Sequence, residues 1–267
     1  MYKAVVSDLD GTLLNGNHAI DEFTKETVSE VINRGIKFYI ATGRSYSGAK
    51  DIMDKLGLKI PLITSNGARI LDEEGNEIYV NNLEKKYSDS ILDIDYKKKG
   101  KSIVLNVYSG NDWYVTEDRR EFYMKINPKR TFFPEVTTLE ELKIKEFTKI
   151  FFLGEHDELL ELEKEIENIT KGEVNIAFVL EHCLEIFSKE SDKANAARFL
   201  LEKDGLTLKD SVAFGDGCND YNLLKEAGKG YVMGNALYRL KEALPENETV
   251  ETNADNGVAK KLVELFL

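Results

Sequence analysis

The chain has 267 residues, of which 42% are hydrophobic and 31% charged, and its formal net charge is −12. This composition predicts a folded protein with an apolar core and excludes an intrinsically disordered chain. The negative charge argues against non-specific binding to nucleic acid or to anionic membranes.

Cysteine content and hydropathy indicate the compartment. The two cysteines, Cys183 and Cys218, do not form the framework of a disulfide-rich secreted protein. No apolar run approaches the roughly 18–20 residues that span a bilayer, and the first predicted strand begins so close to Met1 that we expect no signal peptide. We therefore expect a cytoplasmic protein in a reducing environment, as a monomer or a weak homo-oligomer.

The first predicted element is a short buried strand over residues 4–6, followed by Asp8 and Asp10 in the sequence DLDGT. Side chains alternate along a strand, so the two carboxylates start on one face. Carboxylates at the end of a buried strand need a compensating charge, which Mg²⁺ with oxygen ligands would supply. One carboxylate could then attack phosphorus while the other acts as acid and base. A solvated Asp-x-Asp turn is the alternative.

Helix and strand alternate in the segments that follow. Apolar spacing predicts a helix over 21–34, a strand over 36–41, a helix over 46–56 and a strand over 61–64. This alternation predicts a parallel sheet with right-handed crossovers and with helices on both faces. Ligands of such sheets bind at the carboxyl ends of the strands, where we expect the functional residues.

The sequence Thr42-Gly43-Arg44 lies at one of these strand ends, immediately before a helix. A hydroxyl, a glycine that allows close approach and an arginine that forms paired bonds to oxygen suit an anionic ligand. The same residue types also form an ordinary tight turn, so both interpretations stay open.

A different pattern begins near residue 83 and continues to residue 184. The predicted elements are strands at 102–107 and 113–116, a helix at 118–126, a strand at 148–153, a helix at 156–170, and strands at 173–180 and 183–187. They indicate a compact α+β domain inserted into an α/β domain made of residues 1–82 and 185–267. Trp113 and Tyr114 either stack on a ring-shaped ligand or lie buried in the insert.

The α/β pattern resumes with a helix predicted over 191–204, with Ser191 as its N-cap and Lys193 in its first turn. A lysine there opposes the helix dipole. It is either a solvated surface residue or a group that faces the same phosphate as the dipole does.

A strand over 211–214 leads into a second acidic cluster, which contains Asp216, Asn219 and Asp220. If a helix begins near residue 218, both carboxylates could face a cation at the end of the strand. Helices over 219–227, over 237–243 and from 257, with a strand over 229–233, complete the predicted α/β domain.

Four motifs in this order resemble those of the haloacid dehalogenase-like superfamily: DLDGT around Asp8, Thr42 after a strand, Lys193 at a helix start, and GDGCND over 215–220. The insert between the second and third motifs is similar to that of the Cof-type branch. The resemblance covers essentially the whole chain. It implies a Rossmann-like core and, over residues 83–184, a cap domain that closes over the core site and selects the substrate.

The resemblance also implies catalytic and substrate-binding roles. Asp8 would be the nucleophile that becomes an aspartyl-phosphate, and Asp10 the general acid and base. Thr42 would donate a hydrogen bond to the phosphoryl group, and Lys193 would balance the charge of Asp8 and phosphate. The substrate contacts would be Gly43, Arg44 and Asn219.

The implied cofactor is Mg²⁺, held by Asp8, by the backbone carbonyl of Asp10 and by Asp216. Asp220 would act through water or by orienting Lys193. Cys218 replaces a small polar residue of the family pattern, and we expect no metal bond from it because Mg²⁺ prefers oxygen. Ala194 stands where the Cof-type pattern has glycine.

The function implied is that of a Mg²⁺-dependent phosphatase acting on small phosphorylated metabolites, with sugar phosphates as the first expectation. A phosphomutase on the same fold is one alternative. The other is a non-catalytic regulatory protein that uses the cap to bind a partner, which would fit a chain that had lost a catalytic carboxylate.

Overall fold

The computed structural model describes residues 2–126 and 132–267. Met1 lies outside the described residues, and so do residues 127–131 of the predicted insert. The chain divides into two compact units, one formed by Met1–Val80 and Glu190–Leu267, the other by Asn81–Lys189. The assignment of residues 83–184 as a cap stays a prediction.

The strands, in chain order, are β1 (Ala4–Ser7), β2 (Lys37–Ala41), β3 (Leu62–Thr64), β4 (Arg69–Leu71), β5 (Glu77–Val80), β6 (Val104–Ser109), β7 (Asp112–Val115), β8 (Glu135–Val136), β9 (Lys149–Leu153), β10 (Val174–Leu180), β11 (Cys183–Ser188), β12 (Ser211–Gly215), β13 (Lys229–Val232) and β14 (Glu248–Thr249). The helices are α1 (Glu22–Asn33), α2 (Tyr46–Leu56), α3 (Lys85–Leu92), α4 (Arg120–Ile126), α5 (Leu139–Leu142), α6 (His156–Thr170), α7 (Lys193–Lys203), α8 (Tyr221–Glu226), α9 (Tyr238–Ala243) and α10 (Gly257–Phe266).

An eight-stranded sheet in the order β14-β13-β12-β1-β2-β3-β4-β5 organises the first unit. Neighbouring strands are parallel from β14 to β3, and β4 and β5 add an antiparallel hairpin. The apolar runs 4–6 and 212–214 are fully buried, as central parallel strands covered on both faces require. The predicted fold class, an α/β core with an additional α+β unit, is confirmed.

The register of the central strands brings their carboxyl ends together. Ser7 of β1 is paired with Phe214 of β12 on one side and with Ile40 of β2 on the other. The residues that follow β1, β2 and β12 therefore meet at one edge of the sheet.

Local capping sets the ends of several helices. Asp21 accepts a hydrogen bond from the Thr24 N–H at 2.8 Å and begins α1, and Gly57, at φ 70°, ends α2. The predicted N-cap of α7 is wrong, because Asp192 rather than Ser191 accepts hydrogen bonds from the first free N–H groups, those of residues 194 and 195. A carboxylate accepts both bonds and also suits the positive end of the helix dipole.

The second unit contains a six-stranded sheet in the order β10-β11-β9-β6-β7-β8, antiparallel except between β7 and β8. Alternate residues of β9 and β11 pack with apolar residues of α3 and α6 into one core. Trp113 and Tyr114 are both buried within this unit. We did not predict α3 from the sequence, because its segment is dense in charged residues and buries only Ser88, Ile91 and Leu92.

Among the described residues, no helix combines the length and the apolar character that crossing a bilayer requires.

Candidate active site

A buried lysine lies at the centre of the candidate site. Lys193 is the first residue of α7, and its side chain is 1% exposed. Its ammonium donates to Asp8 Oδ1 at 2.6 Å and to Asp220 Oδ1 at 2.7 Å. The interpretation of Lys193 as a solvated surface residue is therefore wrong.

Two carboxylates contact this ammonium, and a third, that of Asp216, lies close to both of them. Asp8 follows β1 and is tied to β12 by its N–H, which donates to the Phe214 carbonyl at 3.0 Å. Asp216 follows β12, and its Oδ1 accepts from Thr12 Oγ1 at 2.8 Å. One oxygen from each of Asp8, Asp216 and Asp220 can be chosen so that all three lie within 4.8 Å of one another. The negative groups thus exceed the positive charge of Lys193.

The pKa values of the cluster follow from burial and from this imbalance of charge. Burial raises the pKa of Asp8 well above its usual range; Lys193 opposes this shift, while Asp220 and Asp216 add to it. Burial also raises the pKa of Asp216. Burial by itself would lower the pKa of Lys193, but the carboxylates of Asp220 and Asp8 outweigh that effect and raise it. A bound cation would relieve the surplus negative charge.

The oxygen-only donor set fits a hard divalent cation such as Mg²⁺. Within that set Asp220 differs from the other two carboxylates. Its Oδ2 accepts from the N–H groups of Asp216 at 3.1 Å and Gly217 at 2.9 Å, while Oδ1 accepts from Lys193. Because both oxygens already accept protein hydrogen bonds, Asp220 is suited to orienting Lys193, and Asp8 and Asp216 are better suited to a metal.

Asp10 does not belong to this cluster. Its two carboxylate oxygens accept from Nε and Nη2 of Arg44, each at 2.6 Å, and Arg44 Nη1 donates to the Gly48 carbonyl. This bidentate pair raises the pKa of the Arg44 guanidinium. Gly11, which follows Asp10, allows a close turn against Asp216, since its φ is 72° and any side chain would meet the Asp216 carboxylate.

The loop after β2 carries Thr42, which is buried and whose N–H donates to the Ile63 carbonyl at 2.9 Å. Its hydroxyl accepts from the Arg44 N–H at 3.1 Å. Asn219 lies beside this loop, because its Nδ2 donates to Asn66 Oδ1 at 2.9 Å and the Asn66 N–H donates to the Thr42 carbonyl at 3.1 Å. The structure thus brings the remaining predicted residues to the same edge of the sheet.

Several residues near the site were not singled out from the sequence. Thr12 bonds Asp216, Asn66 bonds Asn219, and Asn235 Nδ2 donates to the Gly11 carbonyl at 2.7 Å. His18 Nδ1 lies 3.8 Å from Asp10 Oδ1. The strand-end rule could have pointed to Asn66, which is the second residue after the third strand.

Comparisons with known proteins agree with the motifs. The family model described as haloacid dehalogenase-like hydrolase matches residues 5–262. A Buchnera aphidicola protein provisionally named a phosphatase is 37% identical over 270 residues, which span 100% of this chain and 99% of that protein. An HMP-PP phosphatase of Yersinia pseudotuberculosis is 32% identical over 98% of this chain and 94% of its own length. The crystal structure of a haloacid dehalogenase-like hydrolase from Bacteroides thetaiotaomicron superposes with a TM-score of 0.85, at 26% identity and with full coverage of both chains.

Proposed function

The chain belongs to the haloacid dehalogenase-like hydrolases, and from that premise we propose that it is a Mg²⁺-dependent phosphatase that works through an aspartyl-phosphate. The phosphatase class is supported by the names of relatives that match almost the whole chain.

The contact of Lys193 with both Asp8 and Asp220 carries the proposal. It holds the Asp8 carboxylate, at the carboxyl end of β1, beside the Lys193 ammonium, at the start of α7. Anionic ligands of parallel sheets bind at this edge. A merely structural ion pair would be balanced in charge, whereas this cluster has a surplus of carboxylate. That surplus suits a site that takes up a cation together with a phosphate.

We assign Asp8 and Asp216 as direct metal ligands and keep the Asp10 carbonyl as a further contact. Asp220 would act by orienting Lys193 or through a water molecule. Mg²⁺ would supply positive charge that offsets the charge of the phosphoryl group and of Asp8.

In the first half of the reaction, a carboxylate oxygen of Asp8 forms a bond to phosphorus while the bond to the leaving oxygen breaks. Asp10 gives its proton to that oxygen. In the second half, Asp10 as a carboxylate takes a proton from water, whose oxygen attacks phosphorus and releases Asp8 and inorganic phosphate. Thr42, Lys193 and Asn219 hold the phosphoryl group throughout.

Arg44 donates to both carboxylate oxygens of Asp10. The proton transfers that we assign to Asp10 therefore require its carboxyl group to part from the Arg44 guanidinium. We expect the freed guanidinium to bind substrate oxygens, consistent with the role that the sequence suggests for Arg44 and Gly43.

For the substrate we propose small phosphorylated metabolites, with sugar phosphates tested first. HMP-PP joins the test panel because a relative at 32% identity carries that name. We further propose that the second unit acts as the cap and selects among these compounds.

The test is release of inorganic phosphate from sugar phosphates, nucleotides, pyridoxal phosphate and HMP-PP, with Mg²⁺ or with EDTA, beside Asp8→Asn. Metal-dependent release that disappears in Asp8→Asn supports the proposal. Isomerisation of sugar phosphates faster than phosphate release would indicate a mutase instead. No turnover of any compound by folded, Mg²⁺-saturated protein would contradict the proposed chemistry.

A further inference from the structure

The turn Ser65–Gly67, which follows β3, has an unusual backbone. Three successive residues have positive φ: 51° at Ser65, 56° at Asn66 and 96° at Gly67. Only the glycine adopts this region without steric cost, and asparagine tolerates it better than most residues. Strained backbone of this kind persists only where the surrounding structure determines it, and it is concentrated at functional sites.

The turn is fixed by two loops that carry predicted site residues. The Ser65 N–H donates to the Arg44 carbonyl at 2.7 Å, and the Asn66 N–H donates to the Thr42 carbonyl at 3.1 Å. Gly67 packs so closely on the backbone of Asp192 that no side chain would fit there. The turn therefore connects the loop after β2 to the residue that precedes Lys193.

The side chain of Asn66 reaches a third predicted motif. Its Oδ1 accepts from Asn219 Nδ2 at 2.9 Å. Asn66 is buried, at 7% exposure, whereas Asn219 is exposed. A Cβ atom on Gly43 would lie 3.0 Å from the same Asn66 oxygen, so Gly43 packs closely against that side of the amide. The buried amide thus fixes an exposed one that would otherwise rotate freely.

We propose that Asn66 is a positioning residue, whose amide oxygen fixes the Asn219 side chain for binding of the substrate phosphate. The inference rests on the proposed phosphatase function. One N–H of the Asn219 amide donates to Asn66, and the other N–H of Asn219 is left to donate to a phosphate oxygen. Binding by an amide that is already fixed loses less conformational entropy. Glycine at position 66 would suit the backbone, but only an asparagine or aspartate would also supply the acceptor.

Two substitutions separate the amide from the backbone. Asn66→Gly removes the amide and relieves the strain, so we expect an unchanged or higher Tm. Asn66→Ala removes the amide and keeps the strain, so we expect a lower Tm. Both variants should raise KM and weaken binding of inorganic phosphate in the presence of Mg²⁺ by roughly three- to tenfold, the usual net value of one hydrogen bond. We expect a smaller change in kcat than in KM.

Asn256 offers a matched control, since it is also an asparagine in the left-handed region, with φ 59° and ψ 40°, next to the first residue of α10. Asn256→Gly should change Tm in the same direction as Asn66→Gly and leave KM and phosphate affinity unchanged. An equal effect of the two substitutions on KM would overturn the proposal.

The decisive experiment is a double-mutant cycle of Asn66→Gly with Asn219→Ala, measured on KM and on the affinity for inorganic phosphate. If Asn66 acts through Asn219, the double variant binds phosphate no more weakly than Asn219→Ala. If the two substitutions instead weaken phosphate binding independently, so that their fold-changes multiply, Asn66 acts by another route and the inference is overturned.

A wild-type protein that binds phosphate but releases none from any substrate would refute the proposed function, while the cycle on phosphate affinity would still decide the role of Asn66. A wild-type protein that binds no phosphate would overturn both.

Discussion

Each unit of the chain contains a buried lysine, and the two lysines differ in the balance of charge around them. Lys149 in the second unit is 6% exposed and Lys193 in the first is 1% exposed. Each ammonium lies 2.6 Å from a carboxylate oxygen, of Glu185 and of Asp8 respectively. The contact distance is the same, so distance alone does not reveal which lysine is functional.

The surroundings separate the two sites. Glu185 is the carboxylate within salt-bridge distance of Lys149, and the rings of Tyr108 and Phe151 lie 5.6 and 5.8 Å from its ammonium. Burial tends to lower the pKa of Lys149, but Glu185 outweighs it and raises that pKa. One positive and one negative charge thus balance each other beside aromatic rings, as a structural ion pair requires. The Lys193 cluster keeps surplus carboxylate, which costs stability unless a ligand offsets it.

The largest effect should come from Asp8→Asn, which removes the proposed nucleophile. We expect phosphate release to fall on the order of 10⁴-fold or more, as for the loss of other nucleophiles. The measurement is single-substrate kinetics with saturating Mg²⁺. Glu185→Gln, which alters the balanced pair, should keep kcat/KM within about twofold in the folded protein; an equal loss in both variants would break the comparison.

Replacing each lysine by methionine should show which of the two serves the reaction. Lys193→Met should lower kcat/KM by roughly 10²- to 10³-fold, since it removes a donor aimed at developing negative charge. Lys149→Met should lower the free energy of unfolding by about 3–5 kcal/mol, because Glu185 is left buried and unpaired. Urea unfolding and steady-state kinetics on both variants check this.

The double variant Lys149→Met/Glu185→Leu provides the control, because it removes both charges of the balanced pair. Its free energy of unfolding should return close to that of the wild type. Persistent loss of activity in this variant, at full folding, would show that the pair in the second unit also serves the reaction.

Mg²⁺ should stabilise the protein through the first unit. At about 100 times its dissociation constant, we expect the metal to raise the free energy of unfolding by about 2.7 kcal/mol. Asp216→Asn should abolish this gain, whereas Glu185→Gln should retain it. Denaturant unfolding with Mg²⁺ and with EDTA measures the effect, and a gain that survives in Asp216→Asn would place the metal elsewhere.

The smallest expected effect is on pH dependence in the absence of metal. The pKa of Asp8 is raised in the folded state, so between its unfolded value near 4 and its folded value the native state holds more protons. The free energy of unfolding should therefore decrease as pH rises through this range. The difference in free energy of unfolding between wild type and Asp8→Asn isolates the contribution of this carboxyl, and we expect that difference to decrease from pH 4 to pH 7. A difference that rises with pH would mean that Lys193 controls the carboxyl more strongly than burial does.

Local patterns in the sequence predicted the elements that matter most for the fold. The helix over 46–56 is observed over the same residues, and the strands before Asp8, Thr42 and Asp216 lie close to where apolar runs placed them. The rule that parallel strands share one carboxyl edge then led to the observed meeting of these residues. Short-range periodicity sufficed because a buried strand or an amphipathic helix carries its burial pattern within a few residues.

Other features depend on residues far apart in the chain. Asn66 and Asn219 are separated by 153 positions, and Thr12 and Asp216 by 204. The choice of Asp192 over Ser191 as a cap likewise turned on which side chain the folded backbone directs to the free N–H groups of α7. Propensity rates both residues as good caps, so it could not decide between them.

The sequence alone determined the family, the order of the motifs and the edge of the sheet where they meet, because these follow from local pattern and from the fixed geometry of parallel strands. Only the tertiary structure decided the charge balance around Lys193 and Lys149, the pairing of Asp10 with Arg44 and the contact between Asn66 and Asn219. Burial and hydrogen-bond partners arise from contacts across the fold, and it is these that turn one buried lysine into a candidate for chemistry and leave the other as part of the structure.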